Sequence, residues 1–153
     1  YGTVRGKKIG ILGFSFKANT NDTRESSAIS ICKDLLEEGA LLHIHDPRVD
    51  LNQIEIDLKL NEHSFSKKDE NDNHNFEEGV WVYSNTIEEV FKSADAVLIL
   101  TEWNEYSLID WKSVSTKMRK PSWIFDARSV LNLADLKGTD LNFWRIGDGS
   151  LIN

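Results

Sequence analysis

Three cationic residues stand where strands of the predicted sheet end, and their side chains are of types that bind phosphate. Lys17 and Arg24 lie in a polar loop after a buried strand, and Arg128 directly follows another strand. A lysine ammonium acts as a point charge and an arginine guanidinium as a two-pronged donor, so both suit phosphate oxygens. Phe16 adds an aromatic ring beside Lys17. Together these residues predict a site for a phosphorylated ligand that carries a ring.

The residue types alone leave a second interpretation open for each cation. Lys17 and Arg24 also fit a solvated loop in which they form surface ion pairs with Asp22 or Glu25. Arg128 also fits a helix-capping or surface arginine. Asp22 is interpreted as a structural residue that orients the loop through Arg24 or through backbone amides.

The elements that would position these residues begin with a strand–helix–strand unit. Residues 9–13 form a nearly continuous apolar run, which is typical of a parallel strand covered on both faces. Ser26 or Ser27 is the predicted N-cap of the following helix, and Gly39 is its predicted stop. A second strand is expected at residues 42–46.

The rest of the chain continues the alternation of strands and helices. Strands are predicted at 80–83, 95–101, 123–126 and 142–146, and helices at 86–92 and 111–118. The polar segment 61–75 is interpreted as an exposed insertion. This pattern predicts a single α/β domain over residues 1–153, with a mostly parallel sheet and helices on both faces.

The glycines of the first strand do not form a dinucleotide-binding fingerprint. Gly10 and Gly13 give the spacing G-x-x-G, which lacks the tight turn of G-x-G-x-x-G. Asp46 ends the second strand, where an acidic residue would hold a ribose in a dinucleotide site. Because Pro47 follows it, we interpret Asp46 as a turn residue.

The remaining candidates for chemistry are weaker. Glu102 follows the most apolar strand and is compatible with an acid/base or hydroxyl-binding role, although a helix-capping role is favoured. Cys32 lies on the apolar stripe of a helix, where a thiol is a small core residue. His43 and His45 lack a partner at metal-ligand spacing. We therefore predict neither a metal site nor a catalytic residue in this chain.

Composition narrows the class of protein. The net charge of −7 argues against a nucleic-acid surface, which would carry a basic patch. No apolar run approaches the roughly 20 residues of a membrane helix. The one cysteine excludes an internal disulfide framework and fits a reducing compartment. Since the chain opens with Tyr1 and has no signal pattern, we interpret it as an excised piece of a longer cytoplasmic protein.

Four sequence blocks occur together in a fixed order. They are Phe16-Lys17 with the D-T-R-E-S run at 22–26, then HDPRV, TEW and FDAR. In this combination the chain resembles the C-terminal, UDP-binding domain of the nucleotide-sugar dehydrogenases, the UDP-glucose/GDP-mannose dehydrogenase family. Among these the resemblance is strongest to the UDP-glucose 6-dehydrogenases. It implies a Rossmann-like fold.

The resemblance also implies an activity for the whole protein. Such enzymes oxidise the C6 alcohol of UDP-glucose to the carboxylate of UDP-glucuronate in two NAD-dependent steps, through a thiol-bound intermediate. The N-terminal NAD-binding domain and the central domain would be absent from this chain, together with the catalytic residues. We therefore expect the 153-residue chain alone to have no dehydrogenase activity.

By position, the family's binding residues fall on the cations described above. Phe16, Lys17 and Arg128 are expected to bind the UDP-sugar, and Arg24 to reach the NAD held by the other domain. The family commonly has glycine before the last arginine, so Ala127 would be strained if that position needs a positive φ. A homo-oligomer is expected.

Two alternatives to this function stay open. One is a sister enzyme that acts on GDP-mannose or UDP-N-acetylmannosamine, because the missing domains build most of the sugar pocket. The other is a non-catalytic nucleotide-binding or assembly module that has kept the fold.

Overall fold

A computed structural model describes residues 4–63, 79–145 and 151–152. Seven strands form one sheet in the order β3-β2-β1-β4-β5-β6-β7. The strands are β1 (Lys8–Leu12), β2 (Leu41–His45), β3 (Val80–Tyr83), β4 (Ala96–Ile99), β5 (Trp123–Asp126), β6 (Asn142–Arg145) and β7 (Leu151–Ile152). Strands β1 to β6 pair in parallel, and β7 pairs antiparallel to β6.

Short helices connect the strands. They are α1 (Ser27–Glu37), α2 (Leu51–Leu58), α3 (Ile87–Phe91), α4 (Asn104–Ser107), α5 (Trp111–Ser115) and a 3-10 turn at Leu133–Leu136. Within the described residues, no helix has the length and apolar character needed to cross a membrane.

The sheet separates two apolar clusters, which confirms the predicted α/β fold with helices on both faces. On one face, Ile9 and Ile11 pack with the buried side of α1, including Cys32. On the other face, Leu12 packs with Val90 of α3 and with residues of α5. The alternation along β1 arises because successive side chains of a strand point to opposite faces.

Local sequence explains where the first helix begins and ends. Ser26 is its N-cap and accepts a hydrogen bond from the Ala28 amide, as predicted. The helix stops before Gly39, whose φ of 88° is the left-handed conformation that favours glycine.

Several elements differ from the sequence prediction. Helix α2 was not predicted; it begins at the N-cap Asp50 and buries only Ile54 and Leu58. The helix expected at 111–118 is shorter and ends at Ser115. Of the polar segment 61–75, the structure describes residues 61–63, and the remainder lies outside the described residues.

The order of the strands marks one position at the edge of the sheet. The chain moves from β1 to β2 and β3 on one side, whereas β4, β5 and β6 lie on the other side of β1. The connections therefore diverge between β1 and β4. In open parallel sheets, ligands bind at the carboxyl ends of the strands at such a point.

Candidate functional site at the carboxyl edge of the sheet

We use the term carboxyl edge for the loops that follow β1 (residues 13–26), β2 (46–50), β4 (100–103) and β5 (127–132). Because parallel strands end on the same side, these loops are neighbours although they are distant in sequence. All the binding residues predicted from the sequence lie in them: Phe16, Lys17, Arg24 and Arg128.

Asp46 fixes the backbone of the loop after β1. It is buried, and its Oδ2 accepts hydrogen bonds from the amides of Phe14 (2.8 Å) and Ser15 (3.0 Å) and from Trp103 Nε1 (3.2 Å). Its Oδ1 accepts from the two amides of the next turn, at residues 48 and 49. Both carboxylate oxygens are thus occupied, so Asp46 is a structural turn residue, as predicted, and does not resemble a ribose-binding acid.

The loop after β1 also makes a close backbone approach to the loop after β4. Gly13 has a φ of 99°, and a Cβ there would lie 2.4 Å from Thr101 Cβ. The buried Thr101 hydroxyl donates to the Ser15 carbonyl at 2.9 Å. Gly13 is therefore required by this contact within the protein, which explains a glycine here without a pyrophosphate.

Arg128 is held by the two loops that follow β1 and β4. Its Nε donates to the Leu100 carbonyl (3.1 Å) and lies 3.3 Å from Glu102 Oε2, and its Nη2 donates to the Phe16 carbonyl (2.8 Å). Within the described residues Nη1 donates no hydrogen bond, and 37% of the side chain is exposed. One edge of the guanidinium is therefore fixed by the protein and another is open to solvent. Arginine can serve two partners in this way because its five N–H donors lie in one rigid plane.

Two solvent-exposed side chains, Phe16 and Lys17, lie near Arg128 on the loop after β1. Phe16 is 41% exposed. Lys17 is exposed, and its ammonium makes no hydrogen bond or ion pair with residues of the described ranges. The backbone of this segment is nonetheless ordered by contacts: the Phe16 amide donates to the Asp22 carbonyl at 2.7 Å.

Arg24 has a different environment from Arg128. Its Nε and Nη2 donate to the two oxygens of Asp22, with 2.9 Å between Nη2 and Oδ2, and 87% of its side chain is exposed. The side-chain hydrogen bonds from Arg24, and then the bond from its backbone amide, lower the pKa of Asp22 to about 2. The same pairing raises the pKa of Arg24. The prediction that Asp22 orients the loop through Arg24 agrees with this geometry.

Asp126 fixes the backbone of the loop after β5, as Asp46 fixes the backbone of the loop after β1. It is fully buried, and it accepts hydrogen bonds from the amides of Arg128 (3.0 Å) and Leu131 (2.9 Å). The positive φ that was considered at Ala127 is found instead at Ser129 (57°). Ala127 is therefore not strained, although the family commonly has glycine at this position.

Glu102 does not have the role that was favoured from the sequence. The N-cap of α4 is Trp103, which makes no side-chain cap bond, and Glu102 instead accepts from the Ala18 amide at 3.1 Å. The sequence placed Thr101 and Glu102 at the ligand edge, because they directly follow β4 in a parallel sheet. It did not indicate the contact of Glu102 with the Ala18 amide.

The other candidate residues, Cys32 and His45, lie in the protein interior and not at a reactive site. Burial raises the pKa of the Cys32 thiol, which keeps it protonated in the core. His45 Nδ1 lies 3.0 Å from the Tyr106 hydroxyl in the interior. In the described part of the chain, no group of three His, Cys, Asp or Glu side chains could hold a metal ion.

A pocket of about 770 Å³ lies elsewhere on the molecule. Its floor is made by apolar side chains of β1, β4 and β5, among them Leu98, Trp123 and Phe125. None of the predicted binding residues lines it. Three cationic residues line it, Lys7, Arg119 and Lys120, but the cations predicted from the sequence to bind a phosphorylated ligand lie at the carboxyl edge.

Comparison with known proteins gives the family of the chain. The profile of the UDP-glucose/GDP-mannose dehydrogenase family, UDP binding domain, matches residues 10–133. UDP-glucose 6-dehydrogenase of Drosophila melanogaster is 40% identical over 147 residues, which is 96% of this chain and 29% of that protein. UDP-glucose 6-dehydrogenase of Bos taurus is 44% identical over 132 residues, which is 86% of this chain and 25% of that protein. The chain thus spans less than a third of these relatives.

Solved structures show the same fold. A UDP-glucose dehydrogenase from Pyrobaculum islandicum superposes with a TM-score of 0.62 at 24% identity, over 96% of this chain and 26% of that one. NDP-N-acetyl-D-galactosaminuronic acid dehydrogenase from Methanosarcina mazei gives a TM-score of 0.68 at 23% identity, over 95% of this chain and 25% of that one.

Proposed function

The chain belongs to the UDP-glucose/GDP-mannose dehydrogenase family, as its UDP binding domain, and from this premise we propose that the carboxyl edge between β1 and β4 binds the uridine nucleotide of a UDP-sugar. In this proposal Arg128 and Lys17 contact the diphosphate or nearby sugar oxygens, and Phe16 packs against the ligand.

The observation that carries this proposal is the state of Arg128. Two loops hold Nε and Nη2 of its guanidinium, Nη1 donates no hydrogen bond within the described residues, and 37% of the side chain is exposed. A donor that is already oriented loses little conformational entropy when a phosphate arrives. The exposed ammonium of Lys17 follows Phe16, whose carbonyl receives the Arg128 hydrogen bond.

Arg24 is proposed to serve the cofactor rather than the nucleotide-sugar. It is largely exposed and is tied only to Asp22, so it can extend toward a neighbouring domain. The carboxyl edge itself does not suit a bound dinucleotide. Thr101 occupies the space beside Gly13, and both carboxylate oxygens of Asp46 already accept hydrogen bonds. NAD would be held mainly by an N-terminal domain, with Arg24 reaching it across an interface; bound there, NAD would accept the hydride.

For the whole protein we propose oxidation of UDP-glucose to UDP-glucuronate with two NAD. The catalytic residues would lie in N-terminal and central domains outside this chain, so the 153-residue chain would be inactive. The buried lone thiol of Cys32 fits a cytoplasmic location. We also propose a homo-oligomer. A sister enzyme for GDP-mannose or UDP-N-acetylmannosamine is the alternative, and a non-catalytic assembly module is the second.

Calorimetric titration of the chain with UDP tests the proposal, with GDP and NAD as comparison ligands. We expect saturable UDP binding that Lys17→Ala or Arg128→Ala weakens by at least about tenfold, since each removes a charged contact worth roughly 1.5–3 kcal/mol. Lys117→Ala and Arg119→Ala are matched controls. Both residues lie at the opposite end of the strands, where the Arg119 amide donates to the carbonyl of Ala94 just before β4.

The outcomes separate the candidate functions. Preference for GDP would move the assignment to the guanine-nucleotide sister enzymes. UDP binding that is equally sensitive to the control variants would contradict the carboxyl edge as the site. Absence of binding to all three nucleotides would contradict a preformed half-site and favour the assembly module. NADH formation by the chain alone from UDP-glucose and NAD would overturn the proposed division of labour between domains.

A further inference from the structure

We infer that Glu102 is a positioning residue of the nucleotide site: it holds the Arg128 guanidinium and the backbone at Ala18 in the arrangement that receives the ligand. The identity of the ligand rests on the proposed function. The contacts that Glu102 makes do not depend on it.

Glu102 joins two loops that carry binding residues. Its Oε1 accepts a hydrogen bond from the Ala18 amide (3.1 Å), one residue after Lys17. Its Oε2 lies 3.3 Å from Arg128 Nε. Arg128 in turn donates to the Phe16 carbonyl at 2.8 Å. Glu102, Arg128 and the segment 16–18 therefore close a ring of contacts. A shift of either loop would therefore break contacts made to the other.

Other roles for this carboxylate fit the geometry less well. It does not cap α4, whose N-cap is Trp103. Each of its oxygens already faces a donor of the protein, Oε1 at the Ala18 amide and Oε2 at Arg128. Glu102 is therefore assigned to position, and not to proton transfer.

The sign of a charge change separates positioning from simple electrostatics. Glu102 is a negative charge beside a site proposed to bind an anion, so its removal alone would strengthen UDP binding by lowering repulsion. If Glu102 instead orients Arg128 and the loop, its removal weakens binding, because the ligand must then restrain a free guanidinium. The two effects have opposite directions.

The first experiment needs no ligand. NMR is used to follow hydrogen exchange of the Arg128 Nε proton and the Ala18 amide in the wild-type chain, Glu102→Gln and Glu102→Ala. We expect both protons to be protected in the wild type. In Glu102→Ala the Ala18 amide should exchange about tenfold faster because it loses its acceptor, and the Arg128 Nε proton should exchange faster by a smaller factor because it keeps its bond to the Leu100 carbonyl. Glu102→Gln should lie in between, since a neutral amide oxygen still accepts a bond. Glu105→Gln, an exposed glutamate three residues further on, is the control. Unchanged exchange in Glu102→Ala would overturn the inference.

The second experiment is UDP titration of the same variants. We expect Glu102→Ala to bind UDP about tenfold more weakly, which corresponds to 1.4 kcal/mol, and Glu105→Gln to bind as the wild type does. In an Arg128→Ala background, Glu102→Ala should cost less than it does alone, because only its contact with the Ala18 backbone is still lost. Tighter binding by Glu102→Ala, or equal losses in both backgrounds, would contradict positioning. If the wild-type chain bound no UDP, the proposed function would fail, while the exchange measurement would still decide the role of Glu102.

Discussion

Arg128 and Arg24 lie on neighbouring loops of the same edge, yet the protein holds them in opposite ways. Arg128 is 37% exposed and bonds to groups 28 and 112 residues away in sequence. Arg24 is 87% exposed, and its partner Asp22 is two residues away. One arginine is fixed by tertiary structure and the other by its own turn.

This difference indicates which arginine is oriented for binding in the isolated domain, without the other domains of a longer protein. An arginine fixed by two other loops has its orientation set in the isolated domain. An exposed arginine in a local ion pair gains little stability from that pair and keeps its freedom to find a new partner. This division agrees with a proposed nucleotide contact for Arg128 and a proposed contact across a domain interface for Arg24.

The largest expected effect comes from the buried carboxylate behind Arg128. Asp126→Asn keeps the shape of the side chain but leaves one of two buried amides, at Arg128 and Leu131, facing an NH2 group. We expect a loss of about 3 kcal/mol in the free energy of unfolding, measured by urea denaturation, because a charged acceptor of buried donors is removed.

The matched change on the other arginine is Asp22→Asn. Because the Asp22 side chain is 34% exposed and that of its partner Arg24 is 87% exposed, we expect the variant to lose at most about a third of the free energy of unfolding that Asp126→Asn loses. Comparable losses in the two variants would show that the Arg24 turn is part of the cooperative structure, and the contrast between the arginines would then not hold.

A smaller effect is expected from the replacement of each arginine by lysine. Arg128→Lys keeps the charge but cannot bond two carbonyls and still present a second edge, so UDP affinity should fall about tenfold. Arg24→Lys should leave UDP affinity unchanged in this chain, since its proposed partner is elsewhere. Calorimetric titration of both variants gives the comparison. A larger loss in Arg24→Lys than in Arg128→Lys would reverse the proposed roles.

The two arginines also differ in how far sequence predicted them. The Asp22–Arg24 pairing could be anticipated because both partners lie in one short segment. The β1–α1–β2 unit was predictable for a similar reason: its apolar pattern and its N-cap Ser26 are local signals. Helix α2 escaped prediction because it buries only Ile54 and Leu58, which is too few apolar positions to show a clear period.

The contacts that fix Arg128 were not predictable in this way. Its side chain and that of Glu102 meet backbone groups at Phe16 and Ala18 that become neighbours only when the parallel sheet has formed. No property of Glu102 itself distinguishes a loop-joining carboxylate from a helix cap. The position after β4 indicated the correct edge of the sheet, and only the strand order showed which loops share it.

The smallest expected effect is a change in the titration of Asp22, and it tests whether Arg24 is held by its turn alone. The Arg24 side chain, and then the Arg24 backbone amide, lower the pKa of Asp22 from 3.8 to about 2. Because the folded-state pKa is depressed, the stabilising contribution of the pair is present above about pH 4 and is lost as the pH falls through 2. Arg24→Gln should raise the Asp22 pKa part of the way back, since the amide of residue 24 still donates to it. NMR titration of the carboxyl carbons measures this, with Asp140, whose pKa is lowered by Lys120, as the control.

High salt should raise the Asp22 pKa in the wild type as well, because the pair is exposed. An Asp22 pKa that responds to neither change would mean that other groups hold the turn, and Arg24 would then resemble Arg128 more closely than the structure indicates.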